Sequence, residues 1–150
     1  MNTQPSASTA VMARDADLYR YVVASPLIRH ELFGLRRGAE LIGYFCVAYA
    51  RHVARMADLW VASTQIDDWC AAFQTAADSV ARRPDVYEVT AWSSTALGRG
   101  ALLGAGFRMR DSWTLSVFGD EAVLDGRELH VQMLDCDASF LGADEISYLT

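Results

Sequence analysis

Residues 55–92 read RMADLWVASTQIDDWCAAFQTAADSVARRPDVYEVTAW, and this stretch decides the fold. Its middle repeats apolar residues at intervals of three and four, the spacing of an amphipathic helix. Thr64, with Asp67 three residues later, is similar to a capping box at the helix start. Arg82-Arg83-Pro84 suits the end, where cations meet the negative pole of the helix dipole. The predicted apolar face consists of Ile66, Trp69, Phe73, Ala76 or Ala77, and Val80.

Two predicted strands flank this helix. Arg55–Ala62 carries Met56, Leu59 and Trp60, and Val86–Trp92 follows the proline stop. A strand-helix-strand crossover joins two parallel strands. The sequence therefore predicts a parallel pair around the central helix.

The residues before this unit predict antiparallel pairing. Glu31–Leu35 and Leu41–Tyr49 are separated by a turn around Arg37-Gly38, which is typical of a hairpin. Asp15–Ala24 has helical spacing and ends at Ser25-Pro26. The predicted fold class is α/β (α+β), with a mixed, mostly antiparallel central sheet and one parallel crossover. We expect one domain over residues 14–140, between flexible tails at 1–13 and 141–150.

The residues after the crossover predict a second helix and a further strand pair. Ser93-Ser94-Thr95 suits the N-cap of a helix that runs to Ala105 and ends at Gly106. Phe107–Phe118 and Leu129–Leu134 alternate in polarity, so an antiparallel pair is expected.

Three glycines in the second helix follow a GxGxxxG spacing. Gly98, Gly100 and Gly104 are one residue too far apart for a dinucleotide-binding loop. We expect them to allow close packing of the helix on the sheet.

Composition excludes several classes of function. The chain has 150 residues, 52% of them hydrophobic, with a net charge of −6 and 13 basic residues that are all arginine, which disfavours nucleic-acid binding and removes every Schiff-base lysine. The three cysteines are in no CxxC arrangement and the three histidines form no close pair, so neither a disulfide framework nor a metal site is expected. No run of about 20 apolar residues occurs, so no membrane span is expected. We expect a protein of the reducing cytoplasm.

The last third of the chain is acidic. Residues 120–150 hold eight acids against Arg127 alone. Such a run is typical of a solvated face, and less often forms a docking surface for a basic partner. The acids are Asp120, Glu121, Asp125, Glu128, Asp135, Asp137, Asp144 and Glu145.

Residues 28–135 resemble the C-terminal part of the GNAT (N-acyltransferase) superfamily in the order of their motifs. ELIGYF (40–45) is similar to one of that family's paired central strands, and ADLWVA (57–62) to its acyl-CoA-binding strand. LLGAGFR (102–108) resembles its closing helix and GF element. The resemblance implies a fold in which two parallel strands diverge and hold acetyl-CoA or another acyl-CoA between them.

The resemblance also implies roles for individual residues. The backbone of Leu59, Trp60 and Val61 would bind the pantetheine arm and polarise the thioester carbonyl. Gln65 matches the first position of the turn that cradles the pyrophosphate. Ser94 or Thr95 replaces an asparagine common near the start of the closing helix, and N-capping is the competing interpretation.

Two departures from the family pattern concern chemistry. Asp68 and Cys70 occupy the small-residue positions of the phosphate turn, so a carboxylate would face the pyrophosphate. At about 4 Å that repulsion is ~4 kcal/mol near a protein surface. Leu102 stands where a tyrosine acid is common. Asp58 is the candidate general base, and an ion pair with Arg55 or another arginine is the alternative.

Two hypotheses remain open. The first is an acyl-CoA-dependent N-acyltransferase, with an amine acceptor, whose activity is weakened or lost. The second is a non-catalytic GNAT-like binding or assembly module, or a fragment of a larger acyltransferase. The region before the hairpin is short for this family. We therefore expect either a homodimer or a missing N-terminal domain to cover the sheet.

Overall fold

The computed structural model describes residues 9–112, 114 and 126–140. They form a mixed α/β domain with a four-stranded sheet and a separate two-stranded sheet. In chain order the elements are β1 (Thr9–Val11), α1 (Ala16–Ala24), β2 (Arg29–Arg37), β3 (Glu40–Ala50), β4 (Val53–Val61), α2 (Ile66–Ala81), β5 (Glu88–Ala91), α3 (Ala96–Gly104) and β6 (Glu128–His130), followed by 3-10 turns at Met133–Asp135 and Asp137–Ser139.

The main sheet has the order β2-β3-β4-β5. β2, β3 and β4 are antiparallel neighbours, whereas β4 and β5 run parallel and are joined through α2. Gly38 has a φ of +61° at the β2–β3 turn, a conformation that favours glycine. The predicted hairpin and the predicted parallel crossover are both confirmed.

The parallel ladder between β4 and β5 is short. It pairs Val53–Met56 with Glu88–Ala91, where β5 ends. A β-bulge follows at once, because β3 pairs with Met56 and then with Asp58, which leaves Ala57 unpaired. A bulge bends its strand and strengthens the local twist. The second half of β4 therefore leaves β5 and presents a backbone edge that β5 does not cover.

The central helix α2 buries the predicted face, with a different start. Trp69, Phe73, Ala76 and Val80 are buried, and Ala72 joins them. Ile66, in the first turn, is 45% exposed. The predicted Thr64–Asp67 capping box is wrong, because Gln65 is the N-cap residue and makes no side-chain cap bond.

The two faces of the main sheet carry separate apolar cores. On one face Phe45, Met56 and Leu59 pack with the buried sides of α2 and α3. On the other face Cys46 and Ala48 pack with Val22 of α1 and with the segment around the 3-10 turns. Burial beside Asp58 raises the pKa of the Cys46 thiol to about 12, so this cysteine behaves as a small apolar residue.

The N-terminal and C-terminal segments differ from expectation. Thr9–Val11 form β1 within the predicted tail, and β1 pairs in parallel with β6. Leu129–Leu134 was expected to be one strand, but β6 ends at His130 and a 3-10 turn covers Met133–Asp135. Residues 107–112 form no strand, so the predicted antiparallel pair is wrong in its described part. Residues 113 and 115–118 and the predicted C-terminal tail 141–150 lie outside the described residues.

Helix α3 starts and ends as predicted. The Thr95 hydroxyl accepts a bond from the Gly98 N–H at 3.1 Å, and Gly106 has a φ of +91°. The glycines pack differently from the prediction, against α2 and the helix's own start. A Cβ on Gly104 would lie 2.6 Å from Cys70 Sγ, and one on Gly100 would lie 3.0 Å from Ile66.

We expect Gly98→Ala and Gly100→Ala to change stability in opposite directions. A Cβ on Gly98 would lie 2.0 Å from Ser93 Oγ, inside the buried start of α3. The Ile66 contact of Gly100 is with the end of a partly exposed side chain that can move. Alanine favours a helix over glycine by about 1 kcal/mol, so Gly100→Ala should be neutral or stabilising and Gly98→Ala should cost about 1–3 kcal/mol. Urea unfolding of both variants checks this, and equal effects would contradict it.

Candidate functional site

The uncovered edge of β4 is occupied by the side chain of Gln132. The Leu59 N–H donates to Gln132 Oε1 at 2.9 Å, and Gln132 Nε2 donates to the Leu59 carbonyl at 2.8 Å. This pair of bonds copies what a neighbouring strand would offer the Leu59 backbone. Gln132 is 2% exposed. The Gln132 carboxamide therefore pairs with the Leu59 backbone as one residue of a neighbouring strand would.

The orientation of this amide is fixed by its partners. A backbone N–H can only donate and a carbonyl can only accept, so Oε1 must face the Leu59 nitrogen and Nε2 the Leu59 oxygen. Nε2 also lies 3.0 Å from Asp58 Oδ1 and 2.8 Å from His130 Nε2. Two amide hydrogens thus serve three acceptors.

Asp58, one of the contacts of the amide, lies in a buried ion-pair network. Arg14 Nε donates to Asp58 Oδ2 at 3.0 Å, and Arg14 Nη2 lies 2.7 Å from Asp135 Oδ1. The Tyr19 hydroxyl also donates to Asp58. Both carboxylate side chains are only 2% exposed. Asp58 is therefore paired with Arg14, and not with Arg55, whose guanidinium donates to the Ala138 carbonyl at 2.9 Å.

The network shifts the proton affinity of its donors. Burial alone would lower the pKa of Arg14, but Asp58 and Asp135 outweigh burial and raise it. Burial and the Asp58 charge raise the pKa of Tyr19 far above its ordinary value. Arg14 and Tyr19 hence keep their protons at neutral pH, and two of the bonds to Asp58 persist.

His130, another contact of the amide, packs against aromatic rings. The His130 ring meets Trp60 edge-on at 5.6 Å between centroids and Trp69 at 5.9 Å. Trp60 and Trp69 also contact each other at 5.6 Å. His130 is 5% exposed, and burial lowers its pKa. Its neutral form matches the acceptor role that the Gln132 amide requires.

The start of α2 is also occupied by side chains of the chain itself. The Ser63 hydroxyl donates to Asp68 Oδ2 and Arg37 donates to Asp68 Oδ1, both at 2.6 Å. The Ser63 hydrogen bond, followed by Arg37, lowers the pKa of Asp68. A carboxylate thus stands at the helix N-terminus, where a helix favours negative charge.

The remaining predicted site residues have structural roles or no assigned partner. Ser94 does not cap α3, since its hydroxyl accepts from the Val131 N–H at 2.7 Å and donates to the Leu129 carbonyl. Thr95 is the α3 cap, and Gln65 is exposed at the α2 start. Leu102 is buried in the core beside α2.

Residues 126–140 contribute more to this region than their acidic composition suggested. The expected solvated face is wrong for Asp135, which is buried against Arg14. Glu128 accepts a hydrogen bond from the Ala96 N–H at 2.7 Å. Sequence reasoning missed Arg14, Tyr19 and Gln132. The available signal was the spacing of His130 and Gln132, two polar residues on one face of an otherwise apolar segment.

We expect the stability of the fold to decrease on acidification through its buried histidines. Burial lowers the pKa of both His30 and His130, so the unfolded chain binds more protons than the native state below about pH 6.5. The free energy of unfolding should fall as pH drops through that value towards the native pKa, by up to about 1.4 kcal/mol per pH unit for each histidine. Urea titrations from about pH 7 to about pH 5 check this. The exposed His52→Gln variant should keep the full slope, and an unchanged slope in His130→Phe would contradict the assignment.

The described residues contain no helix long and apolar enough to cross a membrane. Within the same ranges no cluster of His, Cys, Asp or Glu could hold a metal ion. Comparisons with models of protein families, with curated proteins and with solved structures gave no match.

Proposed function

We propose that this chain is a non-catalytic GNAT-like domain, a binding or assembly module whose acyl-CoA cleft is filled by its own side chains. One observation carries the proposal. The Gln132 carboxamide takes both the N–H and the carbonyl of Leu59, the groups that the family resemblance assigns to pantetheine and to the thioester carbonyl. An acyl-CoA would have to displace a buried residue with four polar contacts.

Two further features support the proposal. The resemblance assigns the phosphate cradle to the α2 start, where Asp68 now holds Arg37 and Ser63. A pyrophosphate there would meet the Asp68 carboxylate, and the nearby Arg37 is already bound to that carboxylate. The candidate base Asp58 is bound to Arg14, Tyr19 and Gln132, so it is not positioned to take a proton from an amine in solvent.

A second candidate function, acyl transfer from acyl-CoA to an amine, is favoured by the geometry of β4. The β4–β5 ladder stops at Met56 and Ala91, and the bulge at Ala57 turns the next residues away from β5. Leu59 then directs a backbone N–H into the gap, as a donor to a thioester carbonyl would. In this reading Gln132 must leave before acyl-CoA enters.

Acetyl-CoA and CoA titrations distinguish the two functions. We expect neither ligand to change the melting temperature of the wild-type chain. A ligand at a hundred times its dissociation constant would add about 2.7 kcal/mol, a shift of several degrees for this size. A saturable shift in the wild type would overturn the non-catalytic proposal.

A matched pair of variants tests why binding fails. Asp68→Gly combined with Gln132→Ala should gain acetyl-CoA binding, because it removes both obstructing side chains. Asp67→Gly combined with Gln132→Ala carries the same glycine cost in the first helical turn and keeps Asp68 in place. Equal binding by both double variants would reject the role of Asp68, and no binding by either would reject the cleft itself as an acyl-CoA site.

A further inference from the structure

In addition to filling the cleft, the Gln132 amide constrains the protonation state of His130. The Gln132 amide is held in one orientation by the Leu59 backbone. Its Nε2 is a donor, so His130 Nε2, 2.8 Å away, must be an acceptor. We call the state in which the Gln132 amide is bound to the edge of β4 the closed state. In it His130 is neutral, with its proton on Nδ1 and the lone pair of Nε2 facing the amide.

We propose that His130 and Gln132 form a proton-sensitive latch, in which protonation of His130 Nε2 releases the Gln132 amide from the edge of β4. Release would expose the Leu59 backbone whether or not acyl-CoA is the ligand that this edge accepts.

Protonation turns a hydrogen bond into a contact between two donors. The added proton on His130 Nε2 points at the NH₂ group of Gln132, and neither nitrogen retains a lone pair for the other. Rotating the amide by half a turn would restore this bond, since Oε1 would then face His130. The same rotation sets NH₂ against the Leu59 N–H and Oε1 against both the Leu59 carbonyl and Asp58 Oδ1. Every orientation of the bound amide is thus opposed once His130 carries two protons.

Charges on all sides of His130 contribute to its proton affinity. Asp58 on β4, Asp135 in the first 3-10 turn and Glu128 on β6 favour the protonated ring, and Arg14 opposes it. From α2 the contact is the uncharged Trp69 ring. Burial is the largest influence and favours the neutral ring while the amide stays bound. When the amide leaves and water enters, burial weakens, so the acidic neighbours then stabilise the protonated ring and hold the site open.

Amide hydrogen exchange of the full-length chain measures the latch without any ligand. Leu59 N–H reports on Gln132, whereas Ala62 N–H bonds to the Ile42 carbonyl at 2.9 Å in the same stretch of chain and serves as an internal reference. Between about pH 8 and about pH 5, which brackets the ordinary histidine pKa, the protection of Leu59 relative to Ala62 should begin to fall near that pKa and then decrease by up to about tenfold per pH unit, the change that one bound proton produces. His52→Gln should show the same fall, and His130→Phe should show none. A fall that persists in His130→Phe, or no fall in the wild type, would overturn the proposal.

The histidine tautomer supplies a test that needs no variant. In ¹⁵N-labelled wild-type chain at neutral pH, His130 Nδ1 should resonate as the protonated nitrogen and Nε2 as the unprotonated one. The Gln132 NH₂ signals should move with the same midpoint at which His130 gains its second proton. A protonated Nε2 at neutral pH, or Gln132 signals that do not change with the titration of His130, would overturn the proposal. This test holds even if His130→Phe fails to fold.

Discussion

Replacing Arg14 with methionine is expected to lower the free energy of unfolding by about 3–5 kcal/mol, the cost of removing one partner from a buried ion pair. The Arg14 side chain is 10% exposed, and its guanidinium contacts the side chains of Asp58 and Asp135, each 2% exposed. Methionine keeps most of the volume and removes the charge, which leaves two carboxylates buried without their cation. Urea or thermal unfolding at neutral pH measures the loss.

Two comparisons separate this effect from the loss of any arginine. Arg20 pairs with Asp17 on the surface of α1, with side chains 74% and 88% exposed, so Arg20→Met should change stability by no more than about 0.5 kcal/mol. Adding Asp58→Asn to Arg14→Met removes one of the two stranded charges and should restore part of the loss. A loss below about 1 kcal/mol for Arg14→Met, the range of a surface ion pair, would contradict the buried position of the Arg14 network.

The parts of the fold that the sequence predicted are those encoded by local periodicity. The apolar spacing from Trp69 to Val80 identified α2 because a helix repeats its buried face every three to four residues. Arg37-Gly38 identified the hairpin turn because glycine tolerates positive φ. The parallel relation of β4 and β5 then followed from the crossover rule, with no further information.

The candidate site depended on contacts that leave no periodic signal. Gln132 meets Leu59 across 73 positions of sequence, and Arg14 meets Asp58 across 44. A polar residue in an apolar segment indicates either an outward-facing position or a buried satisfied one, and sequence alone does not separate these. The prediction of a strand over Leu129–Leu134 assigned no role to Gln132. In the structure that segment leaves the strand at His130, and the glutamine turns inward.

The same contact shows how the gap between β4 and β5 is filled in this structure. A diverging parallel pair creates a backbone edge with unsatisfied donors and acceptors, and burying such an edge requires a partner. A cofactor is one solution and a side-chain amide is another, because a carboxamide offers the same donor and acceptor as a peptide group. In this structure the Leu59 backbone is paired with Gln132, which lies in a segment distant from β4 in sequence.

Gln132→Glu is expected to cost about 3 kcal/mol or more at neutral pH, although it replaces one atom by another of nearly the same size. The new carboxylate oxygen would face Asp58 Oδ1 and the Leu59 carbonyl, which now lie 3.0 and 2.8 Å from Nε2. Three oxygen acceptors would then meet without a hydrogen between them, beside the lone pair of His130 Nε2. Protonation restores one donor, so the pKa of the introduced carboxyl should be raised in the folded state, where it binds a proton more tightly than in the unfolded chain. The deficit relative to wild type should therefore shrink as pH falls, opposite in sign to the destabilisation by the buried histidines.

Gln132→Met and Gln65→Glu are the matched controls for this variant. Methionine has nearly the shape of glutamine and no charge, so it should cost about 1–3 kcal/mol at neutral pH for the unpaired Leu59 groups, and the stability difference between Gln132→Glu and Gln132→Met should shrink on acidification. Gln65 is exposed at the N-terminus of α2, where a carboxylate is favourable by a few tenths of a kcal/mol. Chemical unfolding of the three variants over a pH series measures both magnitude and slope. If Gln132→Glu is no less stable at neutral pH than Gln132→Met, the amide at the β4 edge is not held by the donors and acceptors described, because only the charge distinguishes the two substitutions.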